Sequence, residues 1–120
     1  MDKNIKTIKN AFTWTRGMWI SIRPNGLIYY SEDVTKSIFN ENISYVSYEI
    51  DVQNNILSIR THELEPENKS YSLTHHNNGA RTFIKKELEA NNYKLPDSSL
   101  RFYANVNEDI INIDISSLKF

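Results

Sequence analysis

Residues 18–39 read MWISIRPNGLIYYSEDVTKSIF, and three signals follow one another along them. Met18, Ile20 and Ile22 alternate with Trp19, Ser21 and Arg23, the period-two pattern of a strand with one buried face. Pro24-Asn25-Gly26 supplies a turn, after which LIYYS returns as the partner strand. Ser31 then stands where a helix N-cap belongs. Glu32 and Asp33 fall in the first turn, where carboxylates meet the positive end of the helix dipole, and Val34 and Ile38 lie four apart on one face. The stretch predicts a β-hairpin that runs straight into a short helix.

A second hairpin is expected in YVSYEIDVQNNILSIRT, residues 45–61, with Val46, Tyr48, Ile50 and Val52 on one face and Asn54-Asn55 at the turn. HELEPENKS, with Pro66 among its acids, reads as an exposed link. Beyond it the order recurs: strand SYSLT, turn HHNNGA, helix TFIKKELEAN with Ile84 and Leu88 on one face, loop NYKLPDSS, and a closing hairpin in LRFYANVNEDIINIDI. A shift of 54 residues lays Val46, Tyr48, Ile50 and Val52 over Leu100, Phe102, Ala104 and Val106, and Ile56, Leu57 and Ile59 over Ile110, Ile111 and Ile113. The Asn-Gly turns align at a shift of 53 and the helix faces at about 50. The fold class expected is therefore α+β, a single sheet-rich domain over residues 1–120. Two pseudo-repeated hairpin/short helix/hairpin halves, 18–62 and 71–116, are joined by a linker at 63–70 and preceded by an extension at 1–17. Halves of about fifty residues are too small to bury a good core alone and would complete each other.

Composition bounds the function classes. Hydrophobic residues make up 39% and charged residues 24%, with seven tyrosines, five phenylalanines and two tryptophans, so the chain has the material for a packed core. No apolar run approaches the roughly 18 to 20 residues of a membrane span, and MDKNIKTIKNAF lacks the apolar centre of a signal peptide, which predicts a cytoplasmic protein with no membrane partner. The absence of cysteine excludes disulfides, zinc–thiolate sites and thiol nucleophiles. The net charge of −1 gives no global field for nucleic acid, yet charge is unevenly spread. Residues 1–23 carry Lys3, Lys6, Lys9, Arg16 and Arg23 against Asp2, whereas residues 46–70 hold five acids against Arg60 and Lys69.

Catalytic signatures are missing from the sequence. There is no dinucleotide or phosphate-binding loop and no nucleophile elbow, and three glycines leave little for a phosphate cradle. His62, His75 and His76 are the only imidazoles. Adjacent histidines on a strand project to opposite faces, so His75 and His76 make a poor chelating pair. Glu63, Glu65 and Glu67 suit a solvated linker, and no pattern places a base beside any serine. The expectation is a non-catalytic protein without metal or cofactor.

WISIRPNGLIYYSEDVTKSIF followed by YVSYEIDVQNNILSIRT resembles the AbrB/SpoVT/MazE class of swapped-hairpin proteins, here as a fused tandem spanning about residues 18–116. The order of elements is also similar to small uncharacterised proteins of phages and mobile elements. The first resemblance implies nucleic-acid contacts at Arg16, Arg23 and Asn25 in one half and at His75, His76 and Arg81 in the other. Against it, Glu32 and Asp33 stand where a basic run would follow the turn and would repel phosphates. The residues themselves favour a protein partner. If Met18, Ile20 and Ile22 face inward, Trp19 faces out, as must one of Tyr29 and Tyr30, and exposed aromatics beside an arginine are the types enriched at binding hot spots. Trp19, Arg23, Tyr29 and Tyr30 are the expected protein-binding residues. The function expected is that of a phage or mobile-element accessory protein that binds and blocks a host defence factor, in the manner of an anti-CRISPR. The alternative is a DNA-binding regulator or antitoxin of the swapped-hairpin class.

Overall fold

The computed structural model describes residues 17–39, 43–66, 70–76 and 79–120. In chain order these form β1 (Trp19–Ile22), β2 (Leu27–Tyr30), α1 (Glu32–Ile38), β3 (Tyr45–Asp51), β4 (Ile56–His62), β5 (Tyr71–Ser72), β6 (Thr74–His76), β7 (Gly79–Phe83), α2 (Lys85–Ala90), β8 (Leu100–Tyr103), β9 (Asn105–Asn107) and β10 (Ile110–Asp114), with a 3-10 turn at Ser116–Leu118. The strands make two five-stranded antiparallel sheets, ordered β6-β7-β2-β1-β8 and β5-β3-β4-β10-β9. The protein is thus a small α+β domain, as expected.

The opening hairpin forms for the reasons visible in its sequence. Gly26 donates its N–H to the Arg23 carbonyl, Arg23 donates to the Leu27 carbonyl, and Gly26 adopts φ +88°, where a side chain would be strained. A Cβ there would also lie 2.6 Å from the Cβ of Lys85 at the start of α2. Asn25 Oδ1 accepts from the Leu27 N–H, so that side chain serves the turn. Ser31 caps α1 by accepting from the Val34 N–H, and it donates to the Gly17 carbonyl, tying the helix to the entry of β1.

One apolar cluster draws on both sheets and both helices. Ile20, Ile22 and Ile28 come from the first sheet, Leu57, Ile59, Ile111 and Ile113 from the second, Val34 from α1 and Leu88 from α2. The two halves of the sequence meet along four strand seams, β1 with β8, β2 with β7, β3 with β5 and β4 with β10. The β4–β10 seam matches Leu57 with Ile113 and Ile59 with Ile111. A duplication is not established by this order, because the halves differ. β3 is a continuous seven-residue strand, whereas LRFYANVN breaks at buried Ala104 and gives β8 to the first sheet and β9 to the second. α2 has no side-chain cap, unlike α1.

Several local expectations are corrected. The helix expected from Thr82 begins only at Lys85, since GARTF pairs with β2 as β7; β-branched Thr82 and aromatic Phe83 suit that strand. His75 and His76 lie in β6 instead of a turn. Val52 leaves the strand face for the β3–β4 turn and is 48% exposed, while Asn55 supplies the left-handed residue there with φ +57°.

Tyr30 is the correction that matters for function. It is fully buried, so it cannot serve as a surface residue. Its hydroxyl lies 2.8 Å from Thr82 Oγ1, which lies 2.6 Å from the Tyr48 hydroxyl, itself 2.9 Å from the Phe83 carbonyl. A carbonyl only accepts, so the single Tyr48 proton is directed toward the Phe83 carbonyl and Thr82 Oγ1, while the Tyr30 and Thr82 hydroxyls share a bond in which either can donate. Burial pushes both phenols above their ordinary values.

Candidate functional site

The face of the first sheet turned away from the core is built on a cross-strand row. β2 matches Tyr29 with Arg81 on β7 and with Ser21 on β1, and Ser21 in turn matches Arg101 on β8. One step along the same face, Trp19 matches Tyr103. In the other direction Arg23 follows β1 at the turn. Because Ile20, Ile22, Ile28 and Tyr30 occupy the opposite face in the core, alternation commits Trp19, Ser21 and Tyr29 to this one.

The side chains interlock. The Arg101 guanidinium sits 4.1 Å from the Trp19 ring centre, and that of Arg23 sits 5.5 Å from the Tyr29 ring centre. The Trp19 and Tyr29 rings are 6.3 Å apart and tilted by 56°. A Cβ built on Gly79 would lie 2.7 Å from Tyr29 Cε1, so the missing side chain is what lets the phenol lie across β7. Ser21 floors an open depression of about 420 Å³ walled by Trp19, Arg23, Tyr29, Ser99 and Arg101. Trp19 Nε1 is buried and meets no acceptor among the described residues.

Charge is segregated between the sheets. The strands of the first sheet contain no Asp or Glu and carry Arg81 and Arg101, with Arg23 just beyond β1. Those of the second carry Glu49, Asp51 and Asp114 against Arg60. Among the described residues no carboxylate forms a salt bridge with Arg23 or Arg81; the pairs present are Lys36–Glu32 and Arg60–Asp109. The first sheet therefore offers a cationic, aromatic face on a protein of net charge −1.

This face brings together Trp19, Arg23 and Tyr29 from the expected protein-binding set, and Arg23 and Arg81 from the expected nucleic-acid set. Tyr30 is excluded by burial. Asn25 is exposed at the turn with its oxygen engaged. His75 is exposed but matches buried Ala80, which puts it on the opposite face from Arg81, while His76 matches Gly79. Arg16 lies outside the described residues, as does the His76 side chain. Arg101 and Tyr103, the latter 80% exposed, are members that sequence reasoning did not assign to a site.

A second polar cluster lies on the other sheet. Ser47 Oγ and His62 Nε2 are 2.8 Å apart across β3 and β4, beside Glu49, Ser58 and Arg60 in a depression of about 340 Å³. Sequence reasoning missed this hydroxyl–imidazole contact. Among the described residues no carboxylate is hydrogen-bonded to His62.

No protein-family model, curated protein or solved structure matches the chain. The swapped-hairpin resemblance accordingly rests on the order of elements alone.

Proposed function

We propose that this protein works by stoichiometric binding, without catalysis, and that the outer face of the first sheet is its working surface for a protein partner. One observation carries the reading: Trp19, Tyr29, Arg81 and Arg101, one from each of four strands, gather with Arg23 on a sheet whose strands contain no acid. Trp, Tyr and Arg are the residue types that dominate protein-interface energetics, and rings held by their neighbours lose little rotamer freedom on binding. The biological setting proposed with it is that of a mobile-element accessory protein that occupies a host defence factor. Small size and the lack of a catalytic motif support that setting.

The test is affinity capture from cells of the source organism, followed by measurement with the purified partner. Arg101→Ala and Trp19→Ala are each expected to weaken binding by more than about 1 kcal/mol, whereas Glu49→Ala on the second sheet leaves it unchanged. A partner lost with Glu49→Ala or Arg60→Ala and kept with the first-sheet variants would move the working surface to the second sheet.

A further inference from the structure

We infer that the partner of this face presents an extended acidic segment whose carboxylates, four residues apart, engage Arg101 at one end of the cross-strand row and Arg81 at the other. The inference rests on the face being the working surface and specifies what that surface reads. Arg81 and Arg101 are separated by Tyr29 and Ser21, that is by three strand-to-strand steps. At about 4.8 Å per step their Cα atoms stand about 14 Å apart. An extended chain advances about 3.4 Å per residue and turns alternate side chains to one side, so positions i and i+4 span about 14 Å on one face. Position i+2 then falls over the row between Tyr29 and small, 8% exposed Ser21, where the depression leaves room for it. Arg23, flanking that depression with its guanidinium 5.5 Å from the Tyr29 ring centre, adds a third guanidinium beside the middle of the row.

Carboxylates are favoured over the bases of a single-stranded nucleic acid by what already covers the rings. Stacking platforms for successive bases need several open aromatic faces, but the Trp19 ring carries Arg101 at 4.1 Å and the Tyr29 ring carries Arg23 at 5.5 Å, which leaves Tyr103 as the open ring of this row. A stacked guanidinium uses its flat face against the ring and donates in its own plane, the geometry that meets a carboxylate fork. The chain's acids also bound the cationic area. Asp33 accepts from the Gly17 N–H beside the Trp19 end at 2.6 Å, and a phosphate backbone continued past Trp19 would meet it.

The experiment is an NMR titration of the full chain with four probes. These are a nine-residue Thr/Val-rich peptide carrying Glu at i and i+4, its Gln counterpart, a peptide with two adjacent Glu residues, and a short oligothymidylate. The i,i+4 peptide is expected to move the Trp19 indole and the Arg81 and Arg101 side-chain signals. It should bind about fivefold tighter than the adjacent-Glu peptide, the upper range for one exposed ion pair. Arg81→Ala and Arg101→Ala should each remove that preference, while Arg101→Lys retains only part of it. Equal binding of the Gln peptide to the same face would overturn the acidic-segment inference and leave the face as the working surface. Signals moving only on the second sheet, or no response at millimolar peptide, would refute the inference, and second-sheet shifts would count against the working surface as well. Preference for the oligothymidylate would replace the peptide with nucleic acid.

Discussion

Replacing Thr82 with valine removes one hydroxyl from the middle of the Tyr30–Thr82–Tyr48–Phe83 chain with almost no change in volume. Tyr48 keeps the Phe83 carbonyl at 2.9 Å, so its proton stays satisfied. Tyr30 does not fare as well: fully buried, it loses its partner at 2.8 Å and is left with the Tyr48 hydroxyl alone. A hydrogen bond contributes about 0.5 to 1.5 kcal/mol net and a buried donor left unsatisfied costs about 1 to 3 kcal/mol, a large part of the 5 to 15 kcal/mol that holds a typical domain together. For a chain of this size each kcal/mol moves the melting midpoint by roughly 3 to 6 °C. Urea unfolding gives the free energy directly, and the companion variants Tyr30→Phe and Tyr30→Phe/Thr82→Val close a double-mutant cycle. Once Tyr30 has no hydroxyl to strand, the double variant is expected to be no less stable than Thr82→Val alone. A Thr82→Val change within about 0.5 kcal/mol of wild type, or strict additivity in the cycle, would refute the buried hydroxyl chain.

Ile20→Ala should cost roughly 2 to 5 kcal/mol as a cavity in the core, whereas Trp19→Ala should cost about 1 kcal/mol, because it gives up a cation–π contact and also an unpartnered N–H; chemical denaturation of both ranks the two faces of β1, and the reverse order would turn the sheet inside out. Alkaline pH should destabilise the fold through Tyr30, whose pKa is raised by burial. Its stabilising effect is complete below the unfolded value near 10 and is lost as pH rises above it, at about 1.4 kcal/mol per pH unit, with Tyr48 adding a slope of the same sign; Tyr30→Phe should reduce the total slope, and an unchanged slope would count against the buried neutral phenol. Separately expressed segments 1–66 and 67–120 should be unfolded and regain structure on mixing, since each would expose half of all four seams; a cooperative thermal transition in either alone would contradict this.

Much of the first half was legible because its signals are local. The Pro24-Asn25-Gly26 turn, the Ser31 cap and the alternation of Trp19 with Ile20 all act within a few residues, and each stands where the pattern puts it. Alternation alone could say only that Tyr29 and Tyr30 face opposite ways; the β2–β7 pairing, which seats Tyr30 against Thr82, decides which is buried. α2 was misplaced because Thr82 and Phe83 serve a strand fixed by a partner more than fifty residues away. Arg101 was missed for the same reason. Laying LRFYANVN over VSYEIDVQ assigned all of it to one hairpin, while the chain crosses at Ala104 and sends Arg101 to β1, where it meets Trp19. The Ser47–His62 contact likewise depends on the β3–β4 register, which sequence spacing did not supply.

Hydroxyl-radical footprinting of the protein with its captured partner reads the working surface most directly, because Trp19, Tyr29 and Tyr103 are reactive aromatics on one face. The account predicts that these three lose reactivity in the complex while Tyr45, on the second sheet, and 81%-exposed Phe120 keep theirs. Protection of Tyr45 and the β3–β4 surface, with Trp19 and Tyr103 as reactive as in the free protein, would contradict it.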